Sequence, residues 1–218
     1  ADSGMFRAKP RAAWQCMRDL DSPAHNTRQR DSIASQWRAA DEAKRSALRV
    51  VCQKTYEEVE KGLMFGPYLH GDLDTLFGEG NWHSLNRFGV EQGLEPDGVT
   101  PTVRPCDNGR SSLTNACLEL DETISCESAS FPALVASLFT ERGVDCALEH
   151  STDDVVKAYR RMAACDAGTT VVALWDSRED GVRYFLMPGH NFGLVSAVLS
   201  WNRQSQLVAC LARRYFGV

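Results

Sequence analysis

The sequence predicts an α+β fold, and three features of its patterning lead to that prediction. After Asp41, apolar residues recur at helical spacing and form one continuous stripe. Residues 64–110 are dense in glycine and proline with short apolar stretches between them, which is typical of strands joined by turns. Two further apolar runs, "TTVVALWD" (169–176) and "GVRYFLM" (181–187), are separated by the polar turn "SRED" and predict a pair of strands.

The first 63 residues are expected to form a helical extension. Residues 1–34 are polar, mixed in sign and weakly periodic, so we expect only partial order there. The helix that follows is predicted to begin at Asp41 and to end near Gly62. Its apolar face contains Leu48, Val51, Cys52, Val59 and Leu63.

A second helix is predicted over residues 128–143. Ser128 belongs to the residue types that cap helices, Pro132 is tolerated in the first turn, and Gly143 ends the helix. The buried face of this helix is predicted to consist of Leu134, Val135, Leu138 and Phe139.

The region after residue 143 is predicted to run strand, helix, strand, strand, helix, the order of an α+β module. "VDCALEH" (144–150) is the first strand, and a helix is expected to begin after the adjacent acids Asp153 and Asp154. Following the two strands named above, residues 192–215 can form one long helix.

Composition places the chain among globular proteins. Of its 218 residues, 43% are hydrophobic and 24% are charged, which suffices for a buried core. No apolar run approaches the roughly 20 residues needed to cross a bilayer, and no secretory signal pattern is present at the start. We therefore expect no membrane contact and an intracellular location, in the cytoplasm or nucleus. The first residue is Ala rather than Met, as expected for a fragment or a processed product.

Eight cysteines are spread widely along the chain, at positions 16, 52, 106, 117, 126, 146, 165 and 210. No C-x-x-C pair occurs, and no cysteine has a histidine at zinc-finger spacing, which argues against a structural zinc site. The even count allows four disulfides, but the wide spacing and the lack of a secretory signal favour reduced thiols.

The net charge of −5 is unevenly distributed. Residues 1–50 hold ten Lys or Arg against six Asp or Glu, whereas the remaining residues have a balance of −9. An acidic protein is a poor candidate for extensive nucleic-acid binding, yet a basic N-terminal segment can contact phosphate locally. A solvated helical surface explains the same charges equally well.

Asp153 and Asp154 admit two interpretations. Acidic side chains in the first turn of a helix are favoured by the helix dipole, by about 0.3–1 kcal/mol. Alternatively, one of them holds Mg²⁺, which proteins usually bind through one or two carboxylates together with substrate phosphates. Phosphoryl transfer with two metal ions would need a further acid from elsewhere in the chain.

Three motifs occur in the order and approximate spacing found in reverse transcriptases: "RPCDNGRSSLTNA" (104–116), "DDVVKAYRRM" (153–162) and "YFLMPGHNFGLVSAVLSWNR" (184–203). They resemble the "R-P-x-x-D-x-R…N" element of the fingers, the "D-L-K-x-A-Y-R" element of the palm and the "L-P-F-G-x-x-x-A" element. The upstream stretch "EEVEKGLMFGPY…LFGEGNW…RFGVEQG" is similar to polymerases of DIRS-like retrotransposons. The resemblance covers roughly residues 57–218.

The resemblance implies a polymerase-like architecture. Residues 1–63 would be an N-terminal helical extension, residues 64–143 a fingers-like region, and residues 144–218 a partial palm with motifs A and B. Intact members of the family are RNA-directed DNA polymerases, which use Mg²⁺ and deoxynucleoside triphosphates on an RNA or DNA template-primer.

By this resemblance, Asp154 is the motif A aspartate, both catalytic and metal-binding, because it precedes Ala158 by four residues. Tyr159 then corresponds to the steric gate, the aromatic ring that excludes a ribose 2′-hydroxyl. The other interpretation of Tyr159 is a core aromatic on a buried helix face.

Four further residues are predicted by the resemblance to contact the nucleotide. Arg104 and Arg110 match fingers positions near the triphosphate or the template, and guanidinium binds phosphate with two parallel donors. Each could otherwise be a surface salt-bridge partner. Phe192 and Gly193 match the "F-G" of motif B, where glycine lets the backbone approach the nascent base pair. The alternative for this pair is a plain helix start.

The sequence departs from the family pattern at three places. "MPGHNFG" has extra residues between Pro188 and Phe192, where the family reads "LPFG". Asp107 is followed by Asn108, where this lineage commonly has a second acid. No Y-x-D-D motif occurs in the 218 residues, and in the family that motif supplies the other metal-binding carboxylates.

Phosphoryl transfer of this kind uses two cations to neutralise charge, and the missing motif would supply carboxylates that hold them. We therefore expect this chain by itself not to polymerise. The first alternative is a non-catalytic, domesticated remnant that binds nucleic acid or protein. The second is an unrelated α+β domain with accidental motif matches. A Cys/His hydrolase is disfavoured, because no cysteine lies in a recognisable nucleophile motif.

Overall fold

The computed structural model describes residues 20–94, 98, 101–117, 130–143, 155–164 and 167–216. Within these ranges the fold is α+β, with five α-helices and one mixed five-stranded sheet. By its contacts the chain divides into two compact units, residues 1–121 with 158–218 and residues 122–157. The division at residues 63 and 143 that the sequence suggests stays a prediction.

Four of the described α-helices belong to the larger unit: α1 (Ser22–Ala39), α2 (Glu42–Glu60), α3 (His70–Phe77) and α5 (Val195–Phe216). The smaller unit contains α4 (Ser130–Glu141). Short 3₁₀ turns lie at Thr114–Cys117, Ala158–Arg161 and Ala167–Thr169. None of the helices in the described ranges is long and apolar enough to span a membrane.

The sheet has the strand order β1-β5-β4-β2-β3. Its strands are β1 (Phe65–Tyr68), β2 (Ser84–Leu94), β3 (Pro101–Asp107), β4 (Val171–Asp176) and β5 (Gly181–Leu186). Strands β2 and β4 run parallel, and the other neighbouring pairs are antiparallel. In the β2–β3 hairpin, Val90 pairs with Arg104 and Arg87 with Asp107. This register determines which side chains share a face.

The core lies on both faces of β4, and the continuous apolar run of this strand suits its central position in the sheet. Val172 packs in a cluster formed with α2 and with the start of α5. Its neighbour Val171 packs in a second cluster, formed with α1 and α3. The predictions of a helix after Asp41 and of strands in 169–176 and 181–187 are confirmed. The cysteines that the structure describes as free thiols are Cys52, Cys106, Cys117 and Cys210.

Part of the segment for which only partial order was expected is helical, because α1 begins at Ser22. Three of the four buried residues of this helix are polar: Ser22, Asn26 and Gln29. The side-chain amide of Asn26 donates to the carbonyl of Trp82 at 3.1 Å, and that of Gln29 donates to the carbonyl of Ser84 at 3.1 Å. Such hydrogen bonds leave no apolar period in the sequence, which explains why the helix was not predicted.

Helix α3 lies inside the stretch that was predicted to contain only strands and turns. The backbone N–H of Leu69 donates to the Asp72 carboxylate at 2.7 Å, which stabilises the first turn of the helix. Gly78 follows the last helical residue and has a φ of +86°. The density of glycine in this region therefore marks the ends of a short helix as well as turns.

The prediction of a helix after Asp154 is wrong for the part of that segment that the structure describes. Residues 158–161 form only a 3₁₀ turn. Lys157 has a φ of +58°, a left-handed conformation that interrupts an α-helix. Asp153, Asp154 and the predicted strand 144–150 lie outside the described residues.

Helix α5 begins at Val195 rather than at Phe192. Phe192 and Gly193 form a turn before the helix, and Gly193 has a left-handed φ of +103°. The last helix is therefore shorter at its start than predicted.

Helix α4 agrees in part with the helix predicted over 128–143. It ends at Glu141, and Gly143 follows with a φ of +66°. The predicted cap Ser128 and the side chain of Val135 lie outside the described part. The other predicted core residues, Leu134, Leu138 and Phe139, are exposed. An amphipathic stripe is buried only where another element covers it, so the predicted burial of these three is wrong.

Candidate functional site

A cavity of about 310 Å³ lies between the β2–β3 hairpin and the loop that precedes α5. The hairpin contributes Phe88, Val90, Gln92, Arg104 and Cys106. The end of β3 contributes Asp107, and the turn after it contributes residues 108–110 together with Asn115. The loop contributes Phe192 and Gly193. The cavity is thus built from segments that are far apart in the sequence.

The alternation of side chains along the hairpin determines which residues face the cavity. Val90 and Arg104 lie opposite each other in the register, so their side chains share one face. Val103 points to the other face and is buried. A Cβ on Gly89 would lie 3.0 Å from Cγ2 of Val51, which shows how closely α2 packs on that side. One face of the hairpin is therefore covered by α2, and the other forms the cavity wall.

The loop before α5 is fastened to the turn after β3. The N–H of Asp107 donates to the carbonyl of Phe192 at 3.0 Å. The side chain of Asn115 donates to the carbonyl of Gly193 at 2.7 Å and accepts from the N–H of Val195 at 3.1 Å. A Cβ on Gly193 would overlap the carbonyl oxygen of Asp107. Gly193 therefore lets the loop lie close to the backbone of the β2–β3 hairpin.

Three side chains surround the Phe192 ring. Tyr159 meets it edge to face, with the ring centroids 5.0 Å apart and the planes at 64°. The guanidinium carbons of Arg160 and Arg104 lie 5.2 Å and 6.0 Å from the ring centroid, within the range of cation–π attraction. Tyr159 also packs against the core cluster that includes Val172. Tyr159 therefore packs against the core and also contacts Phe192, and its role as a steric gate stays a prediction.

Four buried charged side chains, Glu58, Arg87, Asp107 and Arg160, form an ionic cluster that adjoins the cavity at Asp107. Nε of Arg87 lies 2.7 Å from Oδ1 of Asp107, and Nη1 of Arg87 lies 3.1 Å from Oε2 of Glu58. Nη2 of Arg160 lies 3.6 Å from both Oε2 of Glu58 and Oδ2 of Asp107. The two cations and two anions balance, as burial of this many charges requires.

Burial and neighbouring charges shift the pKa values of Arg160, Arg87 and Cys106 in different directions. Burial lowers the pKa of Arg160. Burial acts to lower the pKa of Arg87 as well, but Asp107 and Glu58 outweigh it and raise that pKa above its ordinary value. Burial, followed by the charge of Asp107, raises the pKa of the Cys106 thiol. The Cys106 thiol in the cavity wall is therefore neutral at neutral pH.

Sequence reasoning missed the ionic cluster, although one feature points to it. Glu58 falls on the buried face of α2, together with Val51 and Thr55. A carboxylate at such a position is unfavourable unless it is paired, so its presence predicts a buried cation nearby. Nothing local in the sequence indicates that Arg87 and Arg160 are the partners.

The structure brings together most of the residues that were predicted to contact a nucleotide. Arg104, Arg110, Phe192 and Gly193 line the cavity, and Tyr159 contacts Phe192. Both of these arginines are exposed, and neither forms an ion pair with another residue of the described ranges. Their alternative role as salt-bridge partners therefore has no support there, and the loop conformation of Phe192 and Gly193 argues against a plain helix start.

The predicted metal site is not among the described residues, because Asp154 lies outside them. Within the ranges that the structure describes, no group of three or more His, Cys, Asp or Glu side chains could hold a metal ion. Asp107 lines the cavity, but Arg87 engages both of its oxygens, at 2.7 Å and 3.3 Å. The prediction of Mg²⁺ therefore still depends on Asp154.

No protein-family model matches this chain, and no curated protein is significantly similar to it.

Proposed function

We propose that this chain is a reverse-transcriptase-like protein, related to template-directed nucleotidyl transfer, whose cavity receives a deoxynucleoside triphosphate. One observation supports the proposal above all. Arg104, Arg110, Phe192 and Gly193, the four residues that the motif resemblance assigns to nucleotide contact in the fingers and in motif B, line one cavity. An accidental match of short motifs gives no reason for residues of two distant segments to meet.

The cavity wall has the chemistry that a nucleotide requires. Arg104 and Arg110 are exposed cations, and a guanidinium binds phosphate oxygens through two parallel N–H donors. Phe88 and Phe192 supply aromatic surface for a base or a sugar. The volume of about 310 Å³ falls at the lower end of small-molecule sites, which span about 300–1,000 Å³.

Catalysis would need groups beyond this wall. Asp154 would hold Mg²⁺, which when bound neutralises charge on the attacking and leaving oxygens of phosphoryl transfer. No Y-x-D-D tetrapeptide occurs in the 218 residues, so this sequence does not supply the other carboxylates of a two-metal site. We therefore expect these residues to bind a nucleotide without incorporating it.

Calorimetric titration of the purified chain with deoxyadenosine triphosphate and Mg²⁺ tests the binding site. Arg104→Ala and Arg110→Ala should each weaken binding about tenfold, because each removes a charge-assisted phosphate contact. Arg38→Ala is the matched control, since Arg38 is an exposed arginine of α1 that does not line the cavity. Wild-type affinity in both cavity variants, or no saturable binding by the wild-type chain, would contradict the proposal.

A primer-extension assay tests the catalytic part separately. We expect no template-dependent incorporation by the 218-residue chain with Mg²⁺ and all four deoxynucleotides. Incorporation would show that the expected inactivity is wrong and would leave the nucleotide site standing.

A non-catalytic module that binds single-stranded nucleic acid is the second candidate. The missing Y-x-D-D tetrapeptide favours it, as does a surface on which Phe88 and Phe192 lie beside Arg104 and Arg110. Aromatic rings and cations in this combination suit stacked bases and a phosphate backbone. Salt-dependent anisotropy of a labelled RNA oligonucleotide, with no competition by deoxyadenosine triphosphate, would support this candidate over the first.

A further inference from the structure

Glu58 lies in α2, within the N-terminal extension, and it does not line the cavity. Its side chain is only 6% exposed. Oε2 of Glu58 lies 3.1 Å from Nη1 of Arg87 and 3.6 Å from Nη2 of Arg160. This carboxylate thus pairs with two arginines that belong to different elements of the fold.

Asp107 by itself does not balance both arginines. Its two oxygens lie 2.7 Å and 3.3 Å from Nε and Nη2 of Arg87, the geometry of a bidentate pair. Arg160 reaches one of the same oxygens at the longer distance of 3.6 Å. Without the charge of Glu58, the ionic cluster would contain two buried cations and one anion, an arrangement that burial disfavours.

Arg160 connects the ionic cluster to the loop that bears Phe192. Its Nη1 donates to the carbonyl of His190 at 2.8 Å and also contacts the sulfur of Met187. Its guanidinium carbon lies 5.2 Å from the centroid of the Phe192 ring. The main chains are close as well, because a Cβ on Gly189 would overlap the carbonyl of Arg160. Both the side chain and the backbone of Arg160 therefore hold this loop.

We propose that Glu58 is a positioning residue for the nucleotide cavity: its charge holds Arg160 in place, and Arg160 holds Phe192 in the cavity wall. The inference rests on the nucleotide-binding function proposed above. When the charge of Glu58 is removed, Arg160 gains by turning toward solvent, and it then leaves both the His190 carbonyl and the Phe192 ring. The N-terminal extension thus takes part in forming the site, although none of the residues that line the cavity belongs to it.

The test compares Glu58→Gln with Thr55→Val in the purified 218-residue chain. Glu58→Gln keeps the size of the side chain and an acceptor oxygen but removes the charge. Thr55→Val removes the hydroxyl that accepts from Nη1 of Arg87 at 3.1 Å, so it perturbs the same ionic cluster through Arg87 rather than through Arg160. Binding of deoxyadenosine triphosphate with Mg²⁺ is measured by calorimetry at a temperature where circular dichroism shows both variants folded.

We expect about tenfold weaker binding for Glu58→Gln and a change within about twofold for Thr55→Val. Wild-type affinity in Glu58→Gln would overturn the inference and leave the nucleotide site intact. Equal weakening by both variants would also overturn it, because the effect would then be general loosening of the core. Absence of binding by the wild-type chain would instead overturn the proposed function, and this inference with it.

Arg160→Lys provides a second variant if Glu58→Gln does not fold. Lysine keeps a positive charge opposite both carboxylates but lacks the planar group that lies over the Phe192 ring. We expect weaker nucleotide binding and shifted ring resonances of Phe192 in protein labelled with ¹³C-phenylalanine. A purely structural role of Arg160 would change the free energy of unfolding alone, so unshifted Phe192 resonances together with wild-type affinity would overturn the inference.

Discussion

The two faces of the β2–β3 hairpin use arginine in opposite ways. On the face toward α2, Arg87 is buried and paired with Asp107 and Glu58. On the cavity face, Arg104 is exposed and forms no ion pair within the described part of the chain. Side chains alternate between faces along a strand, and the register places Arg87 and Arg104 on opposite sides. The same residue type therefore stabilises the fold on one face and remains available to a ligand on the other.

The residues of the motif "RPCDN" lie on both faces of the hairpin. Arg104 and Cys106 face the cavity, whereas the carboxylate of Asp107 is engaged by Arg87. Neighbouring residues of one motif thus have different roles, and the motif as written does not distinguish them.

The largest expected effect is the loss of stability in Arg87→Met. This substitution removes the counterion that lies closest to Glu58 and Asp107 in the described part of the chain. Breaking a buried ion pair in this way costs about 3–5 kcal/mol. Arg104→Met, the same change on the open face, should alter the free energy of unfolding by less than about 0.5 kcal/mol. Chemical denaturation measures both, and equal losses would mean that the two faces do not differ as described.

The next largest effect is expected from His83, a buried histidine that anchors the turn bearing Arg110. Nε2 of His83 donates to the carbonyl of Ser112 at 2.6 Å, and the His83 ring stacks on that of His25 with centroids 4.0 Å apart. Burial, and then the neighbouring His25, lower the pKa of His83 from 6.5 to about 4. His83 is therefore neutral in the folded protein at neutral pH.

Stability should consequently fall in acid. Between pH 6.5 and about 4 the unfolded chain binds a proton at His83 that the folded chain does not bind. His83 makes its full contribution to the free energy of unfolding above pH 6.5. This contribution decreases as the pH falls toward 4, by up to about 3 kcal/mol. His83→Gln does not titrate, so the free energy of unfolding measured against pH should have a smaller slope in this window. An unchanged slope would show that other groups cause the acid sensitivity.

A smaller loss is expected for Gly193→Ala, at the junction of the loop with the hairpin. Gly193 has a φ of +103°, and a Cβ there would overlap the carbonyl of Asp107. Gly93 is the matched control, because it has a similar φ of +117° with no atom within 4 Å of its added Cβ. Gly93→Ala should cost about 1 kcal/mol from backbone strain, and Gly193→Ala about 2 kcal/mol or more. Equal losses would indicate that the loop moves away without resistance.

The smallest effect is expected for Asn115→Ala. Its side chain joins the Gly193 carbonyl to the N–H of Val195, but the pair of hydrogen bonds is exposed to solvent. Its removal should cost about 1 kcal/mol. Thermal denaturation would detect the loss, and a loss as large as that of Arg87→Met would mean that the open face is as important to the fold as the buried one.

Local patterning predicted the elements whose contacts are apolar. The sequence predicted the apolar stripe of α2 and the start of this helix after Asp41. The Asp41 carboxylate accepts from the N–H of Lys44 at 2.8 Å. The two apolar runs that became β4 and β5 could be read in the same way. Helix α1 could not, because Asn26 and Gln29 form side-chain hydrogen bonds with the carbonyls of Trp82 and Ser84, at and just before the start of β2.

The candidate site was predictable only in part. Arg104, Arg110, Phe192 and Gly193 were identified through a resemblance to polymerase motifs, and no periodicity indicates that they share a cavity. Glu58 and Arg160 were not identified as site residues at all, because their importance comes from a charge balance between distant elements. The roles of Tyr159 and Asp154 in a nucleotide reaction stay predictions.

The sequence by itself determined the α+β class, the apolar strands of the centre and the residue types available for binding phosphate. Those properties depend on neighbours three or four positions away, or on alternation along one strand. Only the tertiary structure decided which arginines are paired and which face the cavity. Pairing depends on distances of a few ångströms between elements that are far apart in the chain, and a linear pattern contains no information about such distances.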